Sequence, residues 1–331
     1  MIIWLAIFPP VALLVVAALV WRGCFRRNVF NDAPTREAGL SAFDLAGGLA
    51  AMMIGGLAFQ ILMQSRGLVG ANGKVAFDSI LEGSVWGLVG QVMAVVPLLL
   101  YIIFRIRDEE NGAKEFGFIP RDIKREISVA AVATIVSLVL VFATSTIVVS
   151  IGILFEQPAP KLGHQMLEQL VESPSTLARV LIAVSAIVVA PIVEEIAYRG
   201  LIQTALLTWL LPAFGVYKEG CAECGYDLRG TLAAGKESCP ECGKVIRSLS
   251  PKQLNAMFTA RCVTIFFAAL LFAMVHIGGA AWQTVPSLFV LGVILGWVYE
   301  RTGSLLPCIL IHAIFNGVNI AIVTLWPSAF S

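Results

Sequence analysis

Long apolar runs constrain this chain more than any other feature. They fall at residues 1–23 and at about 43–64, 83–104, 127–155, 177–210, 258–277, 282–299 and 304–326. About 20 apolar residues suffice to cross a hydrocarbon core as a helix, so the sequence predicts about eight membrane spans. Only 14% of the residues are charged and the mean hydropathy is +0.85, far from the quarter charged of an ordinary soluble domain. The run 127–155 is rich in Val, Ile and Thr, but an open strand leaves its backbone unsatisfied in lipid. The fold expected is therefore all-α, a polytopic transmembrane helical bundle.

Loop charges set the expected topology. Residues 22–36 carry Arg22, Arg26, Arg27 and Arg36, and residues 105–125 carry Arg105, Arg107, Lys114, Arg121, Lys124 and Arg125. Segment 65–79 has only Arg66 and Lys74, and 156–176 only Lys161. The positive-inside rule places the two basic segments in the cytoplasm. The first run has no basic n-region or small-residue cleavage site and reads as an uncleaved span. Run 177–210, with Pro191 inside it, reads as one kinked crossing or as two short ones that turn at its glutamates. One crossing is preferred, because it leaves 217–255, with Lys218, Arg229, Lys236, Lys244, Arg247 and Lys252, on the cytoplasmic side. The formal charge of +1 offers no strongly basic field, so no nucleic-acid partner is expected. Membrane lipid is the expected surrounding, and the expected location is a bacterial inner (cytoplasmic) membrane.

The segment "CAECGYDLRGTLAAGKESCPECGK" carries two C-x-x-C pairs, Cys221 with Cys224 and Cys239 with Cys242, separated by fourteen residues. Zinc in structural sites takes four tetrahedral thiolates, and each C-x-x-C turn offers two. Gly225 and Gly243 follow the knuckles, where a positive φ relieves the turn. Residues 217–250 therefore resemble a zinc ribbon with a structural zinc, too small to fold without metal. Such a closed site has no open position for catalysis, and the ribbon's partner is not readable from sequence. Cys24, Cys262 and Cys308 read as small apolar filler.

Within the apolar runs the ionisable and polar set reads as Glu194, Glu195, Arg199, His276, His312 and Asn316. His164 lies in a polar loop and reads as a solvated side chain; Asp44 and Glu82 read as interfacial. A charge at mid-membrane costs about 2.5–3.5 kcal/mol on insertion scales, so such groups pair or work. Glu195 and Arg199 stand at i and i+4 and share a helix face. Glu194 points about 100° away and is left for other use, because successive helix residues step by that angle. His312 and Asn316 share a face in the same way, and Phe272 stands one turn before His276. A carboxylate, two imidazoles and a carboxamide from three spans suit a metal, a polarised water or an oxyanion. Read from composition alone, three uses stay open: a structural polar network, proton or ion transport, and hydrolysis.

The three motifs in order, "EEIAYRG", "FAMVH" and "HAIFN", resemble those of the CPBP intramembrane proteases, the group of CAAX prenyl proteases and bacteriocin-processing proteins also called ABI. The resemblance covers about residues 175–326, after N-terminal helices in 1–174. It implies an intramembrane endopeptidase that cleaves membrane-associated or C-terminal-tail peptide and protein substrates. It also implies that one glutamate activates a water, that His276 and His312 orient this water or hold a catalytic divalent metal such as zinc, and that Asn316 steadies the oxyanion. Helix spacing makes Glu194 the preferred base, and Phe272 reads as packing. The cysteine insert between the first two motifs departs from the family pattern, so prenyl specificity does not carry over. A non-catalytic scaffold or immunity-type protein and a proton-coupled transporter are the competing readings.

Overall fold

The computed structural model describes residues 2–30, 33, 40, 42–69, 77–107, 112–157, 162–214, 221, 224, 226, 228, 231, 238–244 and 251–326. Gly225 and most of the insert's basic residues lie outside them. Among the described residues the chain is helical, with isolated β-bridges and no strands. The helices are α1 (Ile2–Trp21), α2 (Ala42–Ser65), α3 (Ile80–Ile106), the short α4 (Gly112–Phe116), α5 (Ile123–Leu154) and α6 (Gln165–Glu172). There follow the span α7 (Thr176–Leu211), α8 (Pro251–Met274), α9 (Val285–Thr302) and α10 (Leu305–Leu325). Among the described residues seven helices are long and apolar enough to cross a membrane, and Ala6–Trp21 is a shorter apolar one. That is the all-α membrane bundle which the run lengths predict.

The helix starts are written locally. Ser79, Asp122, Ser175 and Ser304 each precede a span, and each side chain accepts a backbone N–H from the first turn, the ordinary use of such residues at a helix start. Glu126 adds a second cap by accepting from the Arg121 and Asp122 N–H groups at 2.8 and 3.3 Å. Asp44 is not merely interfacial: it is buried and accepts from Tyr101 and Arg105, which ties α2 to α3.

α2 pairs with α3, and α5 packs on α1, α9 and α10. The buried centre gathers Leu98, Ile102, Phe116, Leu201, Phe272, Leu291, Leu295 and Tyr299. Phe116 plugs it beside Gly200, where any Cβ would collide with the phenyl ring. Tyr299 Oη donates to the Phe116 carbonyl at 2.8 Å, and Leu305 N–H donates to that of Gly117 at 2.9 Å.

α7 runs as a single helix from Thr176 to Leu211, which matches the one-crossing reading. Pro191, where the sequence suggests a kink, lies between two widened stretches of the helix. A π-helical stretch, Ser185–Val189, precedes the proline, and a second, Ile196–Gln203, follows Glu195. Proline supplies no N–H for the usual i−4 bond, and widened turns of this kind gather at functional sites. The two glutamates lie between them.

Candidate active site

Three helices converge on the glutamates. Arg199 Nε comes to 3.2 Å from Glu195 Oε2, and both side chains are fully buried. This ion pair is close, although the N–H is not aligned as a hydrogen bond. The guanidinium also donates to the Gly292 carbonyl of α9 at 3.1 Å and lies 5.0 Å above the Phe272 ring. Glu195 Oε1 accepts from His312 Nδ1 at 2.9 Å. The inner carboxylate is thus held from both sides.

Glu194 faces elsewhere. Its side chain keeps 26% exposure, and its Oε2 lies 3.9 Å from both His276 Nε2 and His312 Nε2. That oxygen is buried, yet no hydrogen-bond partner among the described residues reaches it. Both rings are oriented from behind, since His276 Nδ1 lies 2.7 Å from the Phe272 carbonyl and His312 Nδ1 lies on Glu195. An imidazole that donates through Nδ1 presents the lone pair of Nε2. Two lone pairs and a carboxylate oxygen therefore surround one gap.

Donor chemistry of this kind suits a metal, and the spacing is wider than that of a closed zinc site. Zinc bonds of about 2.1 Å put two tetrahedral ligands about 3.4 Å apart, short of the 3.9 Å seen on both arms. Among the described residues only the four cysteines bring three or more ligand atoms within 4.8 Å of one another. A water placed there has two O–H donors for three acceptors, so it can donate to two of the groups at a time.

Asn316 takes a position on α10 one turn beyond His312, but one of its amide N–H groups is spent. It donates to the Ala186 carbonyl at 2.8 Å, in the first π-helical stretch. Phe272, fully buried, stands in ring contact with Tyr198, His276 and His312, which is packing of the kind the sequence suggests.

Two features escape a reading of the sequence. Arg261 of α8 and Glu300 of α9, omitted from the ionisable set above, form a second buried ion pair at 2.8 Å. Gln203 joins it, donating to Glu300 Oε1 at 2.8 Å and to the Gly296 carbonyl at 3.0 Å. Arg261 is legible as a charge inside an apolar run; its partner is not. His164, expected in solvent, is half-buried, with its ring edge-on to that of His276 at 6.2 Å between centroids. Its Nδ1 caps α6 by accepting from Met166 N–H at 3.1 Å. Burial and the nearby His276 hold its pKa below the ordinary histidine value.

The four insert cysteines meet as a separate cluster. Cys221 and Cys242 sulfurs lie 3.5 Å apart, and those of Cys224 and Cys239 lie 3.7 Å apart. Zinc–sulfur bonds of about 2.3 Å in a tetrahedron require about 3.8 Å, so the cluster fits zinc. The knuckles match each other: Cys221 N–H donates to Tyr226 and Cys239 N–H to Lys244, each five residues on. Gly243 has the expected positive φ of 66°. The Cys224 and Cys242 thiols resist ionisation. The Tyr226 backbone pulls the Cys224 thiol down, but desolvation and three neighbouring thiols outweigh it and hold it up at about 12. Purified protein should carry about one zinc per chain, and Cys221→Ser with Cys239→Ser should remove it; metal analysis that finds zinc retained in the double variant would place it elsewhere.

In comparison with family models, residues 243–318 fit the one described as Rce1-like, type II CAAX prenyl endopeptidase. The similarity spans 76 of the 331 residues. The match starts at the residue after Cys242, so it contains His276, His312 and Asn316 while the insert separates it from Glu194. Comparison with curated proteins and with solved structures returns no match. The seven apolar spans and the likeness of residues 243–318 to a membrane protease family make this an integral, multi-pass membrane protein.

Proposed function

We propose that the protein hydrolyses peptide bonds of membrane-associated substrates with a water activated by Glu194. Support comes chiefly from one observation: a buried Glu194 oxygen faces two Nε2 lone pairs across a water-sized gap. The Glu194 carboxylate takes one proton from the water while the oxygen adds to the scissile carbonyl carbon. The carbon–nitrogen bond then breaks, and the proton held by Glu194 passes to the departing amine. The water's other O–H donates to the Nε2 of His276 or His312, which orients it. The second amide N–H of Asn316, not used on Ala186, stabilises the oxyanion. Glu195 and Arg199 set the pose of His312 without touching substrate.

A scaffold or transport role is less consistent with these contacts. Glu300 shows the structural use of a buried carboxylate, held by Gln203 and Arg261, whereas Glu194 Oε2 is held by no side chain among the described residues and faces two imidazole Nε2 atoms. In a bacterial inner membrane the test is a comparison of protein termini, by mass spectrometry, in membranes bearing wild-type protein or His276→Ala. Termini that appear only with wild type are expected; equal sets from both would end the hydrolase reading.

A further inference from the structure

The first π-helical stretch of α7, Ser185–Val189, leaves one carbonyl short of a donor in its own helix. The Ala190 N–H donates to the Ser185 carbonyl, five residues back, rather than to Ala186, its acceptor in an ordinary α-turn. The next residue, Pro191, has no N–H to give. The Ala186 carbonyl is thereby released, and Asn316 Nδ2 of α10 donates to it at 2.8 Å. An ordinary α-turn here would return the Ala190 N–H to Ala186 and set it in competition with Asn316 for that oxygen.

A second helix holds the same stretch. Ser185–Val189 touches α3 as well as α10. Ser185, its first residue, is buried and donates through Oγ to Oε1 of Gln91 on α3 at 3.0 Å. Gln91 is half-buried and stands inside the apolar run 83–104. Hydroxyl side chains within helices commonly bond the carbonyl one turn back, as those of Thr134, Thr144 and Ser150 do on α5. Ser185 spends its hydroxyl between helices instead, and such bonds tie spans together where lipid surrounds them. The hydrolytic steps at Glu194 leave Gln91 and Ser185 without a role.

We propose that Gln91 and Ser185 are positioning residues for the oxyanion donor. Their bond holds the π-helical register of Ser185–Val189, and that register keeps the Ala186 carbonyl open to Asn316. Asn316 has two amide N–H donors on one planar group, so fixing the first on Ala186 aims the second. A donor aimed in advance stabilises developing charge without reorganising during the reaction. The proposal rests on the hydrolase reading of Glu194. It adds to the site a helix, α3, that lies outside the segment similar to the Rce1-like model.

Gln91→Met keeps the side-chain length and removes the acceptor, Ser185→Ala removes the donor, and Ser185→Thr keeps it. In membranes bearing each full-length chain, mass spectrometry follows the rate at which the termini made by wild type appear. That rate should fall about tenfold in Gln91→Met and in Ser185→Ala, less than the roughly 100-fold to 1,000-fold loss of a whole oxyanion donor. Ser185→Thr should restore it. In an Asn316→Ala background neither change should lower the rate further, the non-additivity expected of groups that act through one another. NMR of protein with isotope-labelled asparagine in detergent reads the Asn316 side-chain amide, assigned by its loss in Asn316→Ala. Its resonances should move in Gln91→Met and Ser185→Ala and keep their wild-type position in Ser185→Thr. Resonances unmoved in both variants, wild-type rates in both, or losses that multiply with that of Asn316→Ala would overturn the proposal. Resonances that move as expected while wild type and Glu194→Gln yield identical termini would instead overturn the hydrolase reading and leave the register lock standing.

Discussion

Glu194→Gln is expected to lower cleavage by about 100-fold to 10,000-fold, the usual worth of a positioned general base, with little change in thermal unfolding. The two halves of that expectation have separate causes. Gln is nearly isosteric and keeps an oxygen toward the gap, but it cannot accept the proton that the water must lose. Stability is spared because Glu194 Oε2 makes no hydrogen bond among the described residues, and its nearest nitrogens lie 3.9 Å away. Glu195→Gln should behave differently, since that carboxylate holds both Arg199 and His312. The measurement is product formation in membranes beside thermal unfolding of each variant in detergent. Equal activity of Glu194→Gln and wild type would remove the base from the mechanism, and equal destabilisation by both variants would remove the division of labour between the two glutamates.

Much of this arrangement is legible in the amino-acid sequence, and the reason is local geometry. Apolar runs of about 20 residues leave helix as the only backbone solution in lipid, so the spans are readable by length alone. The Glu195–Arg199 pair follows from i,i+4 spacing on one helix. The zinc-like knuckles follow from repeated C-x-x-C turns, each closed by the same five-residue backbone bond. What escapes has partners far apart in sequence. Glu300 meets Arg261 and Gln203 only because three helices pack, and no spacing rule connects them. His164 reaches His276 through a bridge between two distant loops, Gly163–Gln165 with Gly279–Ala281. The π-helical stretches of α7 escape for another reason. Pro191 announces a defect, but its distribution along the helix depends on what satisfies the freed groups, and Asn316 on a different span does that at Ala186.

Arg199→Met alone is expected to destabilise the fold by about 3–5 kcal/mol, the cost of leaving one member of a buried ion pair without its partner, and to do so more than Arg199→Met combined with Glu195→Gln. The single change strands a fully buried carboxylate whose remaining contact is His312 Nδ1. Methionine replaces much of the arginine stem and can fill space against Phe272, so packing loss alone is a small part of the expected effect. In the double variant the pair leaves no net charge in the core, and the carboxamide introduced by Glu195→Gln keeps an oxygen for His312. Stability should therefore return in part, as it does when buried pairs elsewhere give way to neutral residues of similar volume. Activity tells whether the pair has a second use. If Glu195 sets the pose of His312 through its oxygen rather than its charge, the double variant should regain cleavage along with stability. If the charge itself polarises His312 toward the water, stability returns and cleavage does not. Thermal unfolding and product formation, measured on the single and double variants together, separate the two. A double variant less stable than Arg199→Met would contradict the assignment of Glu195 as the carboxylate that the arginine neutralises.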